Sequence, residues 1–493
     1  LAVVRAVLAI DQGTTGNTVI LISEEGEVIG RVTREFPQIY PQPGWVEHDP
    51  EVIVQGVKEA IAELISTTRF PAEKISAIGL TNQRETVVLW EKKSLKPVAN
   101  AIVWQCRRTE QRCRRLKEEG REDWIFSRTG LVLDPYFSAT KIEWLLDRVD
   151  PQRKRSKELS CGTIDSYLLA RLTGGRVHAT DPTNASRTML MDLKRVSWDP
   201  ELLELFRVPA EILPEIRPSD SFFGETSGFG VLPDGIPIHG ILGDQQAALF
   251  GQQCFTPGSA KCTYGTGAFL LVHTGHLPVY SRYRLLSTVA FSTHIHGTEY
   301  ALEGSVFIAG AAVQWLRDGL KIIQKASEVE ELARRVPDTG GVVFVPALVG
   351  LGAPYWRSDA RGIITGITRG TTAEHLARAT LEGIAMSVAD LIEAMNSDLN
   401  EPISEIGVDG GAASNDLLME LQADFAGITI RRPRMLETTA LGVGLLSGLG
   451  IGLWSRREDL SRILPVERRF FPKLPPEIRE RKRQEWKRIV AKA

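Results

Sequence analysis

Apolar positions along the chain alternate between two spacings. Val7–Ile10, Ile75–Leu80 and Ile238–Leu242 are short, nearly continuous apolar runs. They stop at Asp11-Gln12-Gly13-Thr14-Thr15, Thr81-Asn82-Gln83-Arg84-Glu85 and Gly243-Asp244-Gln245-Gln246. Runs of that length, closed by polar or glycine-bearing turns, read as buried strands. Asp49-Pro50 opens a helix, with Asp as cap and Pro at the first helical position. Ile53, Val57, Ile61 and Leu64 then keep the helical period. Further on, Val342–Leu348 predicts a strand and Arg378–Met395 a long helix. Glu477–Ala493, after Pro475-Pro476, predicts a basic helix with a solvated charged face. The stretch from Pro209 to Pro237, rich in Pro, Gly, Ser and acidic residues, has a surface-loop composition. Thr438–Ser455 is uncharged and long enough to span a bilayer. Its many glycines, including Gly444 and Gly448 four apart, predict instead a buried helix packed closely on a neighbour. Alternating strands and helices imply an α/β architecture with helix-covered sheets.

The turn after the first strand carries the most chemistry. Gly13 lets backbone approach a ligand closely, and Thr14 and Thr15 offer hydroxyl and amide donors suited to phosphate oxygens. Asp11, at the strand end, can orient a magnesium ion through its waters. A second hairpin, Lys261 to Val272, repeats the theme at Tyr264-Gly265-Thr266-Gly267. Each hairpin alone reads more readily as an ordinary strand turn. Together, one near the start of each half, they suggest a duplicated fold gripping one nucleotide from both sides. The sequence contains no Gly-x-x-x-x-Gly-Lys-Ser/Thr loop, which argues against a P-loop enzyme.

Composition narrows the class. At 493 residues the chain exceeds one core and predicts two large domains meeting near Gly251. A formal charge of −2 lacks the electrostatic footprint of a nucleic-acid binder. Cys106, Cys113, Cys161, Cys254 and Cys262 form no Cys-x-x-Cys pair and read as reduced thiols of a cytoplasmic protein. Apolar Leu1–Ile10 runs into Asp11 without a small-residue cleavage site, so it does not read as a signal peptide.

Ten segments in colinear order resemble the glycerol kinase branch of the FGGY carbohydrate kinases, within the actin/Hsp70/hexokinase ATPase superfamily. They are Asp11–Thr15, Gly44–Pro50, Thr81–Thr86, Ile102–Gln105, Asp134–Ser138, Gly243–Gln246, Tyr264–Gly267, Gly310–Trp315, Gly352–Trp356 and Asp409–Asn415. The resemblance implies a two-domain, ribonuclease H-like fold with the active-site cleft between domains, residues 1–251 and 252–493. It implies ATP and Mg2+ as cofactors, glycerol as the small-molecule substrate, no nucleic acid, no membrane insertion, and a dimeric or tetrameric homo-oligomer.

A triol offers three hydroxyls, each donor and acceptor. Arg84 supplies fixed donors and Glu85 acceptors, so the pair can satisfy both halves of neighbouring hydroxyls. Adjacent strand residues reach one ligand only where the strand ends or kinks; from position alone a surface ion pair is the preferred reading. The resemblance implies that Arg84 and Glu85 hold the polyol with Tyr136, Asp244 and Gln245, while Trp104 and Phe269 wall its carbon edge. Core packing is an equal alternative for both aromatics. Asp244 is the expected catalytic base, orienting the attacking hydroxyl; a structural acid or helix cap is its plainer reading. Thr14, Thr15, Gly265, Thr266 and Gly267 match the phosphate contacts, Gly310, Gln314, Gly411 and Asn415 the nucleotide towards adenine, and Asp11 the metal.

The chain departs from the family pattern in three places. Thr18 stands where many relatives carry an arginine facing the transferring phosphate, so another base must supply that charge or turnover falls. Gly228–Gly235 lacks the arginine with which regulated bacterial relatives bind fructose 1,6-bisphosphate, which predicts insensitivity to that effector. Arg357 stands where relatives commonly have Asp.

Overall fold

The computed structural model describes residues 5–357, 359–463 and 465–493; of the apolar opening, Leu1 to Val4 lie outside this range. Two sheets dominate. The first is built from β1 (Ala6–Gln12), β2 (Gly16–Ser23), β3 (Val28–Glu35) and, after helix α1 (Pro50–Thr68), β4 (Ile75–Asn82), then β5 (Phe222–Glu225) and β6 (Pro237–Gly243). Their order is β5-β6-β4-β1-β2-β3. Helix α2 (Asp244–Gly251) leaves the end of β6 and leads to the second sheet. That sheet contains β7 (Ala260–Tyr264), β8 (Ala268–Gly275), β9 (Leu286–Thr293) and β10 (Gly297–Val306). After helices α3 (Gly310–Asp318) and α4 (Ala373–Asp398) it adds β11 (Glu405–Asp409), then α5 (Asp416–Ala426) and β12 (Thr429–Pro433). Helix α6 (Thr438–Gly450), β13 (Val466–Phe470) and α7 (Pro476–Val490) end the chain. The order is β9-β10-β8-β7-β11-β12-β13.

The two sheets share a plan. In each, a glycine–threonine hairpin (β1-β2, β7-β8) is antiparallel, and its first strand takes a parallel neighbour on the other side (β4, β11). The duplication expected from the paired hairpins is present as topology. Alternation along the first sheet divides its faces. Leu8, Ile10, Val19, Leu21 and Val32 pack with Ile53, Val57, Ile61 and Leu64 of α1. Ala9, Ile20 and Ile22 point the other way, against Ala440, Leu441 and Val443 of α6. The cap of α1 is as expected: the Asp49 carboxylate accepts from the Glu51 and Val52 amides, with Pro50 at the first position.

Helix α6 returns from the C-terminal half to cover the first sheet and packs tightly on α2. A Cβ at Gly442 would lie 1.8 Å from the Ala247 carbonyl oxygen, and one at Gly444 2.3 Å from Ile22. The buried-helix reading of this segment is therefore right, and among the described residues no helix is long and apolar enough to cross a membrane. All five cysteines are buried and free.

Four expectations need correction. The stretch from Pro209 to Pro237 is not all surface loop, because Phe222–Glu225 pairs with β6 as an edge strand and Phe223, Phe229 and Leu232 are buried. The strand expected at Val342–Leu348 is only Val343–Val345; Pro346, lacking an amide donor, ends it. The long helix reaches beyond Arg378–Met395 to Ala373–Asp398. The basic C-terminal helix is not merely solvated. Trp486 and Arg483 of α7 are buried against α4, with Asp390 accepting from the Trp486 indole at 2.6 Å and pairing with Arg483 at 2.8 Å.

Candidate active site

Strand β4 delivers the first functional pair. Beyond Asn82 the backbone turns sharply, with Arg84 and Glu85 both in the left-handed region (φ 57° and 45°). Two consecutive left-handed non-glycine residues are strained and persist only where their surroundings hold them. The turn breaks strand alternation, so the neighbouring side chains serve one site.

Both are buried, Arg84 at 2% and Glu85 at 0% exposure, which rules out the surface-pair reading. Their partners come from distant segments that the sequence did not single out. Glu303 on β10 takes a two-pronged grip on Arg84, at 2.6 and 3.0 Å, and also accepts from Arg187 at 3.0 Å. Arg187 donates to Glu85 at 2.6 Å. Burial works against the Glu303 charge, but the guanidiniums of Arg187 and Arg84 outweigh it and hold its carboxyl at about 2. Burial pushes the Glu85 carboxyl upward, against the pull of Arg84 and Arg187.

Three atoms of this cluster, Glu85 Oε2, Arg84 Nε and Arg187 Nη1, are buried without a hydrogen bond inside the protein. One is an acceptor and two are donors. Arg84 Nε lies 3.0 Å from Asp244 Oδ1, a charge contact without hydrogen-bond alignment.

Asp244 begins α2, directly after β6, and its side chain is 26% exposed. It does not cap the helix, whose N-cap is Gly243. The next two residues hold the walls together: Gln246 accepts from Arg84 at 3.2 Å, and Gln245 accepts from Lys261. Lys261 is itself fully buried on β7, and burial lowers its pKa despite nearby Asp409.

Trp104 and Tyr136 sit edge to face, 5.5 Å between centroids, half-buried. Trp104 belongs to none of the hydrophobic clusters; its indole donates to Thr14 Oγ1 at 2.9 Å. The core-packing alternative therefore falls away for Trp104. Tyr136 is fixed through its backbone by Lys141, which donates to the Tyr136 and Phe137 carbonyls at 2.5 and 3.1 Å. Burial lowers the Lys141 pKa to about 8. Ser138 ties the same segment to the Glu85 carbonyl at 3.0 Å. Phe269 is half-buried on β8, opposite Thr263 and Ser305. Register puts it on the sheet face of Lys261 and Glu303, one cross-strand pair further along.

The two hairpins expected to hold phosphate are made of backbone and hydroxyls. Gly13 closes the first hairpin with its amide on the Gly16 carbonyl (2.8 Å), and Gln38 donates to the Thr14 carbonyl at 3.0 Å. His48 bonds Gln38 (2.7 Å), and Gln83 donates to its other ring nitrogen at 3.4 Å. Burial lowers His48 to about 4, so it is neutral. In the second hairpin Gly265 and Thr266 are exposed, and their carbonyls accept from the amides of Gly310, Ala309 and Ala311, at 2.8 to 3.0 Å. The start of α3 is thus fastened to the hairpin. Gln314 is exposed on α3 and Gly411 on the turn after β11. Asn415 has a structural duty as cap of α5, accepting from the Leu418 amide at 2.8 Å.

Asp11 fits a metal site of the magnesium kind. Burial, then the carboxylates of Asp244 and Glu437, raise its carboxyl to about 8, while Arg31 pulls it down. A divalent cation would relieve that repulsion. Magnesium keeps several waters and needs only one or two carboxylates besides phosphate oxygens. Accordingly a cluster of three acidic, His or Cys ligands is not required, and none occurs among the described residues.

Family models decide the relationship. The N-terminal domain model of the FGGY carbohydrate kinases matches residues 6–251 and the C-terminal domain model residues 260–450. The chain belongs to the FGGY family of carbohydrate kinases. This FGGY kinase is 52% identical to a glycerol kinase of Bdellovibrio bacteriovorus over 97% of each chain. It is equally similar, over 99% of each chain, to glycerol kinase 2 of Thermotoga maritima. Its fold superposes on the crystal structure of Plasmodium falciparum glycerol kinase with ADP at a TM-score of 0.93, with 36% identity over 99% of this chain and 98% of that one. A ligand-bound xylulose kinase of Lactobacillus acidophilus shares the two-domain fold at a TM-score of 0.88, 23% identity and 99% and 97% coverage.

Proposed function

We propose that this kinase transfers the terminal phosphoryl group of ATP to a terminal hydroxyl of glycerol, giving sn-glycerol 3-phosphate. The carrying observation is the acceptor Glu85 Oε2 and the donor Arg187 Nη1, buried without a hydrogen bond, with Arg84 Nε meeting only the charge of Asp244: donors and an acceptor that complement adjacent hydroxyls. Leaving such atoms unsatisfied costs about 1–3 kcal/mol each, so a polyol that pairs them binds with gain. Trp104, Tyr136 and Phe269 supply an apolar boundary suited to a small carbon skeleton, and Gln245 closes the site beside Asp244. The full-length relatives named glycerol kinases support the same reading.

Phosphoryl transfer passes through a loose transition state, so positioning and electrostatics dominate. Asp244 orients the attacking hydroxyl and receives its proton late; Arg84, 3.0 Å away, holds the carboxylate in position. Thr14, Thr15, Gly265, Thr266 and Gly267 cradle the phosphates, while Gly310, Gln314, Gly411 and the Asn415 amide lie along the nucleotide towards adenine. Asp11 would hold Mg2+, which would supply charge neutralisation to the phosphate oxygens. Residues 1–251 form the polyol-bearing domain and 252–493 the domain facing the adenine. The five buried free thiols suit a reducing cytoplasm. A dimer or tetramer is the expected assembly, measurable by sedimentation.

The test is ADP release from Mg-ATP with no acceptor, glycerol, xylulose, gluconate and other polyols. Strong stimulation by glycerol is expected. Stimulation by another polyol instead, or acceptor-independent turnover, overturns the glycerol assignment.

A further inference from the structure

The phosphate cradle is short of positive charge. Neither Asp11–Ser23 nor Thr263–Val272 contains a lysine or arginine. Lys261, on the first strand of the second hairpin, is fully buried and engaged with Gln245 and Thr263. A nucleotide triphosphate would therefore meet amides, hydroxyls and the acids Asp11 and Asp244 there. Stabilising charge that develops on a transferring phosphoryl group normally calls for a cation.

Register points to one. Asp11 on β1 pairs with Thr18 on β2, and Thr18 with Thr33 on β3. Directly opposed residues share a face, and so do residues two apart, so Asp11, Thr18, Thr33 and Arg31 all lie on the α6 side of the sheet. Thr18 is spent on a 3.0 Å hydrogen bond with Thr33. Arg31 pairs with Glu437 at 2.7 Å, and its side chain is 47% exposed. Glu437 immediately precedes α6, whose first residue, Thr438, donates to Asp409 at 2.6 Å, at the end of β11. The guanidinium is thus drawn towards the cleft ends of β1 and β11.

We propose that Arg31 is the cation of the phosphate end: it exchanges Glu437 for the terminal phosphate of the nucleotide and replaces, from the edge strand, the charge missing at Thr18. This rests on the kinase reading above. The half-exposed side chain and its one-carboxylate tether suit a group that moves, unlike the locked guanidiniums of Arg84 and Arg187. An arginine at position 18 would start one strand closer to Asp11 and reach the same place.

The experiment compares the parent with Arg31→Met, Thr18→Arg and the double variant. Arg31→Met is expected to lower kcat about ten- to a hundred-fold, the worth of one charge-assisted contact, with the KM for glycerol little changed. In calorimetry it should bind the β,γ-imido analogue of ATP at least five-fold more weakly but ADP as the parent does. Adding Thr18→Arg to Arg31→Met should recover at least ten-fold of the kcat. A kcat within two-fold of the parent overturns the proposal. So does an equal loss for ADP and the imido analogue, or a loss that the second arginine does not repair, since either makes Arg31 a structural partner of Glu437. If the parent shows no glycerol-dependent turnover, the glycerol reading falls, and the two nucleotide affinities still judge Arg31.

Discussion

At the end of the cleft proposed to hold the polyol, Arg84, Glu85, Arg187 and Glu303 are each at most 2% exposed and grip one another. At the phosphate end, two hairpins offer exposed Thr15, Gly265 and Thr266, and the cation proposed to serve them is a half-exposed arginine on an edge strand. The contrast suits the proposed ligands. A neutral polyol offers no net charge, so its site must carry balanced, fixed charges with only selected atoms left over. A polyanion brings its own charge and counter-ion, and adaptable donors suffice. Rigidity is concentrated where the ligand is small and neutral.

The sharpest test of this division is Asp244→Asn, which keeps the shape of the polyol end but removes its base. Turnover should fall about 10²- to 10⁴-fold with the melting temperature nearly unchanged. Near-native turnover would return Asp244 to a structural role. Glu303→Gln attacks the balance of fixed charges instead. Breaking a buried ion pair costs about 3–5 kcal/mol, so denaturant unfolding should show a large loss; a loss under 1 kcal/mol would mean that the cluster is not tightly coupled. Trp104→Phe probes the join between the two ends by deleting the indole donor to Thr14. A neutral hydrogen bond is worth about 1 kcal/mol, so kcat/KM should drop about five-fold, and an unchanged value would make the two ends independent.

The phosphate end also predicts a pH effect. His48 titrates at about 4 in the folded protein against 6.5 ordinarily, because burial disfavours its charge. The unfolded chain therefore binds the extra proton first. This contribution to stability is complete above about pH 6.5 and is lost as pH falls through 4. His48→Gln should flatten the stability–pH curve in that window; an unchanged slope would place the acid lability elsewhere. The smallest effect is expected of fructose 1,6-bisphosphate. Gly228–Gly235 is closed on itself, with Asp234 accepting from the Gly228 amide at 2.7 Å. Activity should not change, and inhibition at physiological concentration would show a binding site that this loop does not suggest.

Local features were legible in the sequence. The two hairpins, the Asp49 cap, the Arg84-Glu85 strand end and the α6 glycines each announce themselves within a few residues. Arg187 and Glu303 were not read, although they complete the polyol end, because they join Arg84 and Glu85 across more than a hundred positions. A signal existed: Glu303 and Lys261 are charges set inside apolar strands, and such charges are almost never buried unpaired. The fate of the C-terminal helix was missed for a related reason, since nothing near Arg483 indicates the acids of α4 that meet it. Arg357, unexplained by the family pattern, donates to the backbone carbonyls of Ala491 and Ala493.

The fork between Arg84 and Glu303 joins the end of a strand in the first sheet to the middle of one in the second. Any motion that parts the two lobes must therefore strip a buried guanidinium from its carboxylate and admit water to both. The energy that keeps the lobes together is thus concentrated in the hold that one half of the molecule keeps on an arginine of the other.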